Sequence, residues 1–439
     1  MTGAMLSQAQ DRSMRTATSA SAARQSLGGA QRTEAPAGKA ASASVATGGD
    51  GARAFTSVEI HRDVASAAAD WSRLLGDALA GPYQNPDFMA AWARHAGAAE
   101  GASPLIAIAR DERGEPVALL PLCVRRRFGV ATARFIGGSH VNYNLAVIRR
   151  DRLDAFAGGE AERLLVETAR EAGVDAYHLV NQPRLWMGTP NPLASLPSQP
   201  SADDAYCGPL APSLEEHLRL YVSAKSRSNQ RRKMRRFEER GAPKLYRAET
   251  PEQRRRLLDA YFRQKAEQFA ARGVDNVFER PGVYEFLAQA AGLTGEAATI
   301  DLYGFDMDDE VVAVHGGVAD GSRYCGMFIS ITSSEHAKYS PGEMLMNFVV
   351  EEQIRRGLSS FDLGVGAATY KKMYCPDPEP LFDSIFGVTA KGRAVAGAAA
   401  AAAALKARIK ATPWAYGLIG KLRKARAGHR PEVAGPAAD

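Results

Sequence analysis

The chain has 439 residues, 45% hydrophobic and 24% charged, which is room for two to three domains of roughly 100–200 residues and an ordinary composition for a protein with buried cores. No run of about 18 apolar residues occurs, which excludes a transmembrane helix, and the N-terminus lacks the apolar stretch of a signal peptide, which predicts a cytoplasmic protein. The formal charge of +6 is concentrated: residues 1–54 carry +3, 225–240 carry +6 and 391–430 carry +10, leaving the remainder at −13, so three basic segments are attached to an acidic body.

Residues 1–54 contain no aromatic side chain and are rich in Ala, Ser, Gly and Thr, a composition that cannot repay its ordering entropy and predicts a disordered tail, although its few acidic residues and its Arg and Ser content also fit a transit peptide. Order begins near Phe55. Trp71, Leu74, Leu75 and Leu79 share a helical face over 64–79, and 85–95 reads as a second helix with Pro86 in its first turn and Phe88 and Trp92 as core. Apolar runs 105–110 and 116–127 around a turn at 111–114 predict a hairpin. Strand material at 133–136 and 143–148, a helix 153–172 stopped by Gly173 and a strand 176–180 complete a mixed unit over 55–208.

A second unit is expected over 209–390. Ser213 is placed to cap its first helix, and the basic helix 225–240 follows. Thr250 with Pro251 opens a helix to 271, and 283–291 is another. Strands at 298–306, 311–320 and 323–331 precede a helix over 343–356 that opens with Ser-Pro-Gly. Strands 360–363 and 381–388 close the unit. Both units share an order of helices, hairpin, helix and strand, the pattern of a duplicated α/β domain. Four scattered cysteines with no paired spacing exclude a zinc site or disulfide framework, so no metal is expected.

Candidate chemistry concentrates in 339–374. The helix opening at Ser340-Pro341-Gly342 presents free N–H groups that suit an anion, although the same residues also make an ordinary helix start. Asp362 ends a strand beside a glycine turn, where it either orients an amine or caps the turn. His315 lies mid-strand, either as a packing residue or as a base with a pKa near neutrality. On the basic helix Arg227, Arg231 and Arg235 form a stripe at i, i+4, i+8 with few acidic neighbours, which reads as a phosphate contact or as a solvated face. No groove-reading motif accompanies it, so double-stranded nucleic acid is not expected. The tail 391–439 is Ala-rich and then basic, with Trp414 and several Leu and Ile. It reads as a peripheral membrane contact on the cytoplasmic face or as a helix docked on the protein.

Five pieces in order carry a resemblance: PYQNPDFMAAW at 82–92, ALLPL at 118–122, KSRSNQRRKMRR at 225–236, SPGEML at 340–345 and FDLGVG followed by Tyr370-Lys371. Together they resemble the CelD/BioF2-like (Acetyltransf_6) branch of the GNAT acetyltransferase superfamily, which is similar to the Fem aminoacyltransferases with their two GNAT-like units. The resemblance implies tandem GNAT-like units with mixed sheets flanked by helices. It implies transfer of an acyl group from acetyl-CoA or another acyl-CoA to an amine on a sugar or lipid-linked, phosphate-bearing acceptor, in exopolysaccharide or cellulose production. Asp362, His315 and Tyr370 are then the catalytic candidates, with Tyr370 protonating the thiolate. Ser340, Gly342, Glu343, Met344 and Lys371 are the cofactor-binding candidates, and Arg227, Arg231 and Arg235 face the acceptor. The loop at 340–344 has one glycine, fewer than a typical GNAT phosphate loop. Two alternatives stand beside this reading: a Fem-type transferase using aminoacyl-tRNA, and a non-catalytic accessory protein of polysaccharide synthesis.

Overall fold

The computed structural model describes residues 53–411, apart from 274 and 369. The expected disordered segment, but for its last two residues, and the Trp414-bearing end of the basic tail lie outside the described residues.

In the first half, strand β1 (Ser57–His61) leads to helices α1 (Ala68–Leu75) and α2 (Pro86–Trp92), then strands β2 (Ala102–Arg110), β3 (Pro116–Arg127) and β4 (Val130–Phe135). Helix α3 (Ala161–Ala172) returns the chain to β5 (Ala176–Pro183), and β6 (Ala205–Pro209) follows. The second half runs α4 (Leu214–Tyr221), α5 (Ala224–Glu238), β7 (Pro243–Arg247), α6 (Pro251–Arg272) and α7 (Val283–Ala290). It continues with β8 (Asp301–Met307), β9 (Glu310–Ala319), β10 (Arg323–Ile331), α8 (Pro341–Arg355), β11 (Ser360–Val365), β12 (Leu381–Gly387) and α9 (Ala390–Ala411).

Local chemistry accounts for the helix ends. The Thr250 hydroxyl accepts from Gln253 N while Gln253 reaches back to Thr250 N, and Gly273 closes α6 in the left-handed region, which a residue lacking Cβ adopts without strain. Helix α3 turns Leu164, Leu165, Thr168, Ala169 and Ala172 inward at helical spacing, and Gly173 ends it. The predicted helix over 64–79 is shorter: after α1 the chain becomes extended at Ala78–Leu79, which pairs with Val147–Arg149.

Two mixed sheets result, with one strand order. The first runs β1-β2-β3-β4-β5-β12, ending on the short segment Gln199–Pro200, and the second runs β7-β8-β9-β10-β11-β6, ending on Asp377–Glu379. Neighbours are antiparallel except β4 with β5 and β10 with β11, which are parallel and joined through α3 and α8. This is the expected tandem GNAT-like α/β fold, with one departure. The sixth strand of each sheet is exchanged: β12 pairs with β5 in the first sheet, and β6 pairs with β11 in the second. The expected end of the second unit at 381–388 is thus a strand of the first sheet. The apolar residues of β12 mark it as a strand with a buried start, but both sheets offer it an equivalent edge.

One apolar core runs between the halves, taking Phe88 and Trp92 from the first and Leu257 and Phe286 from the second, with the Phe88 and Phe286 rings edge-to-face at 5.3 Å. Helix α9 docks on β12, held by Lys391 and the Thr389 hydroxyl on Asp175 at 3.0 and 2.8 Å, with Ala396 buried. Among the described residues no helix is long and apolar enough to cross a membrane.

Candidate active site

Strands β10 and β11 pair only over 323–325 and 360–362, and beyond Cys325 and Asp362 they part. A cavity of about 210 Å³ occupies the gap. Gly326, Met327, Phe328 and Ile329 line it from β10, Leu363 and Val365 from β11, His315 from β9, Lys265 from α6, and Tyr370 and Lys371 from the following loop.

Asn142, from the first half, crosses the opening. Its Nδ2 donates to Gly326 O at 3.0 Å and to the Tyr83 hydroxyl at 2.8 Å, and Val365 N approaches its Oδ1 at 3.5 Å. One carboxamide thereby bridges two strands that no longer reach each other. Gly364 admits it: φ is +71°, and a Cβ there would lie 2.3 Å from the Asn142 amide nitrogen. Sequence reading missed Asn142, which sits in an irregular stretch after the Gly137-Gly138 break, where periodicity carries no signal.

Asp362 is fully buried behind this cavity and does not line it. Its Oδ1 accepts from Gly364 N at 2.6 Å, closing the glycine turn, and its Oδ2 accepts the Tyr143 hydroxyl. Arg323 Nη1 lies 3.9 Å from Oδ2 and 3.2 Å from Glu379, to which the Cys207 thiol also donates at 2.8 Å. Burial pushes the Asp362 carboxyl up to about 7, against the opposing pull of Arg323 and the two hydrogen bonds. The Arg323 guanidinium rests on Trp186, 4.4 Å from the ring centroid. Cys207, Asp362 and Glu379 have the spacing of metal ligands. Arg323 already supplies their positive charge, and burial with the nearby Glu379 keeps the Cys207 thiol protonated by raising its pKa, so the site does not suit a cation.

His315 lines the cavity, only 2% exposed, and among the described residues neither ring nitrogen has a hydrogen-bond partner. Burial pushes its pKa down to about 3, so the imidazole is neutral and the near-neutral base expected from sequence is not realised. Lys371 does not offer its ammonium to a phosphate as expected: Nζ donates to the carbonyls of Gly364 and Val365 at 3.0 and 2.9 Å and pins the end of β11. Tyr370 is half-buried on the cavity wall, its pKa raised by burial.

The start of α8 lies against the end of β10, where Gly342 packs on Ile331 so closely that a Cβ would lie 2.7 Å from its terminal methyl. Ser340 is left-handed at φ +57° and makes no cap with its side chain, contrary to the ordinary helix start. Its hydroxyl accepts from Lys233 of α5 at 2.7 Å, and Lys233 also pairs with Glu343 at 3.2 Å. Met344 is buried. On α5 the predicted stripe divides. Arg227 donates to Val222 O at 2.5 Å and caps α4, whereas Arg231 and Arg235 are exposed.

A second cavity, of about 430 Å³, lies between the halves, lined among others by Pro82, Asn85, Arg150, Trp186, Asp320 and Ser322. Trp186 lines it and also carries the Arg323 guanidinium. The 82–92 motif thus builds one of its walls, with Asn85 capping α2 through Phe88 N at 3.0 Å.

Residues 224–372 match the family described as Acetyltransferase (GNAT) domain. None of the curated proteins matches the chain by sequence. Among solved structures the chain is similar to a conserved protein of unknown function from Bacteroides thetaiotaomicron, at 11% identity over 75% of this chain and 99% of that one, TM-score 0.49. It is also similar to FemX, at 12% identity over 67% and 91%, TM-score 0.48. A third likeness is to a tandem GNAT protein from the clavulanic acid biosynthesis pathway, at 13% identity over 76% and 99%, TM-score 0.42.

Proposed function

We propose that the chain, whose residues 224–372 match the acetyltransferase (GNAT) domain family, is a GNAT-type acyltransferase that transfers the acyl group of an acyl-CoA to an amine, with the acyl end seated between β10 and β11. The observation that supports this most is the cavity opened by the parting of those two parallel strands beside the start of α8. The amine nitrogen attacks the thioester carbonyl, the C–N bond forms as the C–S bond breaks, and the thiolate takes up a proton. Tyr370, on the cavity wall, is the group placed to supply it. A neutral imidazole as weakly basic as His315 cannot deprotonate an ammonium ion, so the amine arrives uncharged or loses its proton to water. Asp362 acts as a positioning residue in this reading, fixing the glycine turn and the Tyr143 contact.

The acceptor is a sugar or lipid-linked amine bearing phosphate, for which the exposed Arg231 and Arg235 provide the anion contact. Its setting in polysaccharide production rests on the family resemblance alone, and a position at the cytoplasmic membrane face rests on the composition of the basic tail. A second reading has its own support. Glu343, paired with Lys233, places a carboxylate in the first turn of α8, where a coenzyme A pyrophosphate would otherwise meet free N–H groups. An aminoacyl-tRNA donor needs no pyrophosphate there. Free-thiol release from acetyl-CoA in the presence of amino sugars tests the first reading. Loss of radiolabelled aminoacyl groups from charged tRNA, without thiol release, would replace it with the second.

A further inference from the structure

The cavity between β10 and β11 is unbalanced in charge. Among the described residues Lys265 and Lys371 line it and no carboxylate does. Lys371 is taken up by two strand carbonyls, but among the described residues Lys265 makes no ion pair and no hydrogen bond, meeting only the Tyr261 ring at 5.9 Å. Burial, with Arg272 further along the helix, pushes its ammonium down to about 8. A half-buried cation with no counter-charge is costly, and a partner anion removes that cost.

His315 supplies a second, independent sign. It faces the same cavity with both ring nitrogens unpartnered, although buried polar groups are ordinarily hydrogen-bonded. A neutral imidazole holds one N–H, which can donate to an anionic oxygen without a charge of its own. Size narrows the ligand. About 210 Å³ holds roughly seven water-sized groups, too few for a whole cofactor and more than an acetyl group fills.

We propose that this cavity accepts a dicarboxylic acyl group, of malonyl or succinyl size, with its free carboxylate held by Lys265 and His315. The inference rests on the acyl-donor reading above and names the acyl class. The free carboxylate takes no part in bond changes. The amine still attacks the thioester carbon, the C–S bond breaks, and the thiolate leaves protonated. Lys265 is a specificity determinant, not a group that touches the reacting atoms.

The test compares succinyl-CoA with acetyl-CoA by calorimetric titration of the full chain, wild type, Lys265→Met and Lys265→Arg, with circular dichroism to show that each variant is folded. A charged hydrogen-bonded contact of this kind predicts a preference for succinyl-CoA of about tenfold or more in the wild type. The preference is lost in Lys265→Met and kept in Lys265→Arg. Equal affinities in the wild type, or a preference that survives in Lys265→Met, would overturn the proposal. Free succinate and neutral succinamide are compared in thermal melts in parallel. Stabilisation by succinate alone, abolished in Lys265→Met, with neither thioester bound, would keep the anion site and remove the acyl-CoA reading. No binding of thioesters or succinate would remove both.

Discussion

Tyr143 of the first half donates its hydroxyl to Asp362 of the second, so a carboxyl that closes a turn in one sheet is also held by a side chain from the other. The contact is fully buried, and the acid holds its proton to about pH 7, above the ordinary carboxyl value of 3.8.

A raised acid pKa fixes the sign of a pH effect. The unfolded carboxyl ionises near its ordinary value while the folded one does not, so Asp362 stabilises fully below that value and loses its contribution as pH rises through about 7. Asp362→Asn cannot ionise. Its stability relative to wild type should therefore improve by about 1 kcal/mol or more between roughly pH 5 and pH 8, read from urea denaturation at each pH. A pH-independent difference would show that the carboxyl titrates alike in both states.

Asn142 makes the other bond between the halves that the site needs. Asn142→Ala leaves Gly326 O and the Tyr83 hydroxyl without their partner, and should cost about 1–3 kcal/mol in equilibrium unfolding. Unchanged stability would mean that water replaces the carboxamide freely.

Much of this was legible in the sequence. Caps at Ser213 and Thr250, the Gly173 stop and the apolar runs of β2, β3 and β9 rest on local chemistry, and they appear where residue type alone puts them. Phe88 and Trp92 are core for the same reason. The strand exchange was not legible, because β12 and β6 carry no mark of which of two equivalent edges they join. Nor were the fates of Arg227 and Lys371. A long cationic side chain reads as free until the carbonyls beside it are known, and here those carbonyls belong to a helix end and a strand end. Lys265 and Asn142 entered only through the cavity that the fold closes around them.

The basic helix offers a paired test. Arg231→Gln with Arg235→Gln removes exposed charge and should change stability by no more than about 0.5 kcal/mol, while raising the KM for a phosphate-bearing acceptor most at low salt. Arg227→Gln should instead lower stability by about 1 kcal/mol, since it uncaps α4. Equal behaviour of the two variants in thermal melts would contradict this division.

Lys371→Met separates a structural from a binding role. Loss of both carbonyl contacts should lower stability by roughly 2 kcal/mol in denaturant titration. A variant as stable as wild type, but with weakened donor binding, would return Lys371 to the phosphate role.

The seat of the acyl donor between β10 and β11 is tested most directly by filling it. Met327 is half-buried on the cavity wall, and Met327→Trp occupies the space from one side. The measurement is calorimetric titration of acyl-CoA into the wild type and into this variant, with the melting curve of each recorded. The account predicts binding to the wild type and a loss of at least about tenfold in a Met327→Trp protein that still unfolds cooperatively. Undiminished binding to the filled variant, or no binding to the wild type, would contradict it.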